Sequence, residues 1–156
     1  MFKDKSLIPV EVVRLAALGG LAHGPRRYGD LAAEIRHFVR HVAGPSLDLL
    51  APPLELLRYE GLVRVESKDA RQSPAAVADD ALLELTASGR VELETLLRAA
   101  VRAPLNDLGR LAIALKLRFL DLLPNDGQVE QVDMLIEMAE GELARFKRGG
   151  VNLAHA

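Results

Sequence analysis

The chain contains no cysteine and no tryptophan, and only four Phe and two Tyr. Without cysteine there is neither a disulfide framework nor a thiolate metal site, so a cytoplasmic location is the expectation. With so few aromatic side chains, an obvious stacking pocket for flat ligands is missing. Net charge is also nearly absent: 20 Lys plus Arg face 22 Asp plus Glu, a formal balance of -2. A strongly basic nucleic-acid-binding domain would look different, and any positive surface here must come from sorting charges onto one face. No apolar run approaches the roughly 20 residues that span a bilayer. The opening stretch MFKDKSLIPVEVV has no apolar segment followed by a small-residue cleavage site, so neither membrane insertion nor secretion is expected. There is no glycine-rich phosphate loop and no nucleophile elbow, and the Asp79-Asp80 pair stands in a loop without neighbouring ligands. An enzyme is therefore not expected, and no cofactor is implied.

What remains is a chain of 156 residues, 49% hydrophobic and 27% charged, long enough for one core. In SLIPVEVVRLAALGGL, residues 6 to 21, Leu7, Val10, Val13, Ala17 and Leu21 fall at helical spacing with Pro9 in the first turn. AHGPRR then reads as a turn. YGDLAAEIRHFVRHV places Leu31, Ile35, Phe38 and Val42 on one face of a second helix. A third helix begins near Ala51 or Pro52 and runs to Glu60, because proline is tolerated only in a first turn. Gly61 stops it. LVRVES and ALLELT alternate as a pair of strands, a hairpin with a long tip between them. Thr86 can cap a fourth helix that continues to Pro104.

Beyond residue 104 the grammar changes. Leu108, Leu115 and Leu122 recur every seven residues with Phe119 interleaved. After PNDG, Val129, Ile136 and Leu143 take one heptad position, and Val132, Ala139 and Phe146 the other. Helices with two apolar sides must bury both, so this seam predicts a homodimer. The expected fold is mainly α with a small β-hairpin: a winged helix-turn-helix over residues 1–103 and a helical dimerisation region over 104–156.

LAALGGLAHGP, YGDLAAEI, PPLELLRYEGLV and LELTASGR together resemble the PadR family of bacterial transcriptional regulators, over most of residues 6–147. The chain departs from that family at Ala51, where a Tyr is usual, and at Tyr28-Gly29, displaced by one position from the family's Gly-Tyr pair. The resemblance implies a homodimer acting on a pseudo-palindromic site in double-stranded DNA. It also implies a small-molecule or protein effector whose identity stays open.

Phosphate contact needs cations, and the candidates are Arg26, Arg27 and Tyr28 before and at the start of the second helix, Arg36 and Arg40 along it, and Lys68 and Arg71 in the wing. Helix three carries no Lys or Arg before Arg58, which leaves Ser46, with Asp48 and Glu55, near base edges. That chemistry suggests weak or shape-led reading. The alternative is a winged-helix module for protein association with little or no sequence-specific DNA binding. His37 and His41 share a helical face one turn beyond Glu34, but without a convincing third ligand no metal is expected.

Overall fold

The computed structural model describes residues 1–43, 54–66, 80–102 and 106–154. Ser46, Asp48, Ala51, Pro52, Pro53, Lys68, Arg71 and Pro104 lie outside the described residues.

Helix α1 spans Pro9–Gly20. Pro9 stands at the first position, where a missing N–H costs nothing, and the Glu11 carboxylate accepts from the Ile8 N–H at 3.1 Å. The helix starts two residues later than the apolar spacing from Leu7 suggests, because Ser6 and Leu7 pair with Ala100 instead. Leu7 N–H donates to Ala100 O at 3.1 Å, and Ala100 N–H to Lys5 O at 3.0 Å.

Arg26–Arg27 form a two-residue strand, β1, where a plain turn was expected. It pairs antiparallel with β3, Leu82–Leu85, which also pairs with β2, Val63–Val65. The sheet therefore has three strands in the order β1-β3-β2 rather than two. Helix α2 spans Tyr28–Ala43 and buries Leu31, Ile35 and Val39, with Phe38 and Val42 half-buried beside them. Helix α3, Leu54–Tyr59, buries Leu54 and Leu57. Gly61, at φ 79°, takes the left-handed conformation that closes this helix, its N–H donating to Arg58 O at 3.1 Å. Three helices, a strand between the first two, and a hairpin after the third make the order of a winged helix-turn-helix.

Helix α4, Ala87–Arg98, is capped as the sequence suggests: Thr86 Oγ1 accepts from Gly89 N–H at 3.0 Å. The same hydroxyl donates to Gly61 O at 2.7 Å, tying the cap to the α3–β2 turn. The helix ends well before Pro104, since Ala99 is extended and Ala100 pairs with the N-terminal arm.

Helix α5, Asp107–Arg118, is capped by Asn106, whose Oδ1 accepts from Gly109 N–H at 2.8 Å. It gives way at Phe119 to a 3-10 turn, Leu120–Leu122, and then to α6, Asn125–Ala154. At 1.5 Å per residue, those 30 residues make a rod about 45 Å long. The hydrophobic core crosses residue 104, because Leu111, Ala112, Leu115 and Phe119 pack in the same cluster as Leu15, Leu57 and Leu96. Gly19 is what admits Phe119: a Cβ at Gly19 would overlap its ring.

Candidate nucleic-acid interface

The described basic candidates gather around the start of α2. Arg27 is exposed on β1 and its Nη1 donates to Asp80 O at 3.2 Å. Tyr28 is half-buried, packed on the core, and its N–H donates to Ala81 O at 2.9 Å. Arg26, half-buried, pairs with Glu34 in the second turn of α2. Glu34 also receives Arg118 of α5 at 2.7 Å, so one carboxylate lies between two guanidiniums. The cluster keeps a net positive charge, yet part of Arg26 is already used inside the chain. Arg118 also lies 5.1 Å above the Phe38 ring.

Arg36 and Arg40 are exposed, one turn apart on α2. His37 and His41 stack with ring centroids 6.4 Å apart and planes at 15°. Among the described residues, no group of three or more His, Asp or Glu could hold a metal ion. No described helix is long and apolar enough to cross a membrane.

Helix α3 presents an unusual outward face. Glu55, Leu56 and Tyr59 are exposed, Tyr59 to 90%, and so is Glu60 just past the helix end. Glu60 is in turn held by Arg14 of α1 at 3.0 Å.

The residues expected to form one dimer seam fall into two groups. Leu115 and Phe119, at 1% and 7% exposure, lie inside the chain's own core, with Leu108 and Leu122 half-buried against it. Their area is consumed by α1 and α2, against which α5 packs. Val129, Val132, Ile136, Leu143 and Phe146 are all exposed, Phe146 to 77%. They occupy heptad positions along α6 and make one uncovered apolar stripe.

Where α6 leaves the rest of the chain, the junction is polar and buried. Lys116, 1% exposed, donates through Nζ to Leu97 O at 2.6 Å, Leu96 O at 3.5 Å and Gln131 Oε1 at 2.8 Å. The Gln131 amide donates onward to Arg98 O at 3.1 Å. Burial pushes the Lys116 ammonium down to about 7, while three acceptors, two of them carbonyls in the last turn of α4, favour its charged form. Sequence reasoning passed over Lys116, although it stands four residues after Ala112 and three before Phe119, on the apolar side of α5.

A family model described as "Putative AphA-like transcriptional regulator" matches residues 2–153. No curated protein matches the chain.

Proposed function

From the chain's membership of the AphA-like family of transcriptional regulators, shown by a match over nearly its whole length, we propose that it works in the cytoplasm as a PadR-like homodimer on a pseudo-palindromic operator. Each copy contributes one winged helix to one half-site. The observation that carries this reading is the exposed stripe from Val129 to Phe146. Five large apolar side chains along one face of a rod gain most by meeting the same face of a second copy, each buried side chain contributing about 1.5–3 kcal/mol. Two heads are then held at a set distance, as a two-fold operator requires.

Within that reading, Arg27, Arg36 and Arg40, with the part of Arg26 that Glu34 does not neutralise, contact phosphates, and Tyr28 supports them at the helix start. Lys68, Arg71 and Ser46 complete the proposed contact set. The test is a mobility shift, as a function of salt, on the DNA around the chain's own coding sequence. Tight, salt-sensitive and sequence-selective binding is expected.

One observation favours a second reading. The described outward face of α3 is acidic and apolar, with Glu55, Leu56, Tyr59 and Glu60, where a base-reading helix usually carries donors and cations. A winged helix used for protein association would present such a face. Binding no tighter than the non-specific level in the same mobility shift would select it.

A further inference from the structure

Helix α6 is fastened to the rest of the chain at its base. Gln128 Nε2 donates to Leu123 O at 2.8 Å, the Arg98 guanidinium of α4 lies against Gly127 and stands 3.4 Å from Glu130, and Gln131 is buried. Gln131 Oε1 accepts from Lys116 Nζ at 2.8 Å, and its Nε2 donates to Arg98 O at 3.1 Å. Past Gln131 no described side chain of α6 is buried. This fastening therefore sets the direction in which the remaining rod, roughly 35 Å long, leaves the winged helix.

Inside the fastening sits one ionisable group without a counter-charge. Among the described residues the hydrogen-bond partners of Lys116 Nζ are three uncharged oxygens, Gln131 Oε1 from α6 and the Leu96 and Leu97 carbonyls from α4. The charged side chains of the neighbouring elements are engaged elsewhere: on α4 and α6, Arg98 reaches Glu94 at 3.2 Å and Glu130 at 3.4 Å, and Asp121 of the 3-10 turn is exposed. On α5 itself, Arg118 turns to Glu34 of α2. An ammonium held there has exchanged water for neutral acceptors, and lifting Gln131 away returns it to solvent.

We propose that Lys116 makes this junction a proton-operated clasp: gaining a proton favours release of the base of α6 from α4 and α5, and losing it favours closure. Burial holds the amine at about 7 in the clasped chain, against 10.5 for a lysine in water. Between those values the clasped form carries fewer protons than the released form, so closure gives up a proton. Rising pH then favours closure by up to about tenfold per unit within that window, and below about 7 the balance no longer changes. A rod that changes direction alters the spacing of the two heads; that last consequence alone rests on the regulator reading.

The test is energy transfer within single full-length chains, without DNA. The chain has no cysteine, so Val91→Cys on α4 and Arg148→Cys on α6, both at exposed positions, give two unique sites for a fluorescent donor and acceptor. With unlabelled chain in excess, the transfer efficiency reports the direction of α6 against the winged helix. Two populations are expected, and their ratio should shift about tenfold or more toward one of them between about pH 7 and about pH 9. Lys116→Met abolishes the shift. Gln131→Glu sets a carboxylate beside the amine and holds its proton to higher pH, so it must flatten the same window, and a folding defect in Lys116→Met does not decide the result. A ratio unmoved by pH in the unsubstituted chain, or moved equally in both variants, overturns the proposal. Since no DNA is present, failure here is distinct from failure of operator binding.

Discussion

Lys116 Nζ donates to Gln131 Oε1 at 2.8 Å, and through this hydrogen bond a charge buried on α5 holds the base of α6. The two neighbouring acceptors, Leu96 O and Leu97 O, belong to the last turn of α4. Three helices therefore meet on one ammonium group. At this junction the Lys116 ammonium has three acceptors, and the Gln131 amide donates onward to Arg98 O.

The ionisation of Lys116 has a measurable signature. Its folded pKa is lowered from 10.5 to about 7, so between those values the unfolded chain binds more protons at this site than the folded one. Its contribution to stability must then rise with pH across that window, and the full cost of burying the charge is felt below about 7. Lys116→Met has no such group. Urea unfolding of both proteins at about pH 6.5 and about pH 9.5 should show the wild type gaining on the variant as pH rises. A difference that does not change with pH contradicts the assignment.

Gly19 and Phe119 make a second checkable contact. Gly19→Ala forces its new methyl into the ring, and overpacking of this kind costs about 1–3 kcal/mol. The double change Gly19→Ala with Phe119→Leu should recover part of that loss, measured as the urea midpoint. No recovery would mean that the ring is not what the methyl meets.

Thr86 serves two elements at once, capping α4 and donating to Gly61 O. Thr86→Ala should cost about 0.5–2 kcal/mol, and Thr86→Ser, which keeps the hydroxyl, much less. Equal losses in the two variants would remove the cap from the account.

Glu34 bears on the proposed DNA contacts. Changing it to Gln removes the carboxylate between Arg26 and Arg118 and leaves more positive charge at the start of α2. Under the regulator reading, Glu34→Gln binds all DNA sequences more tightly and with a steeper salt dependence. Arg26→Ala with Arg27→Ala does the reverse. A salt slope unmoved in both variants would take this cluster off the phosphate-contact set.

How much of this was legible in the sequence differs by element. The apolar spacing of α2, the alternation of β2 and β3 and the Thr86 cap all follow from local chemistry, and the structure places them accordingly. Strand β1 was missed because two arginines carry no periodicity; they become a strand only by pairing with Leu82 and Leu83, far along the chain. The heptads of α5 and α6 look alike in sequence, and nothing local says which partner covers each. Phe119 is covered by Gly19 of its own chain, while Phe146 is left uncovered.

The mass of the purified chain in solution, measured by light scattering at micromolar concentration, tests the central claim most directly. Pairing of α6 through Val129, Ile136, Leu143 and Phe146 predicts twice the mass of one chain. A mass equal to one chain would contradict it, because those side chains would then stay in water and nothing would fix two winged helices at a common spacing.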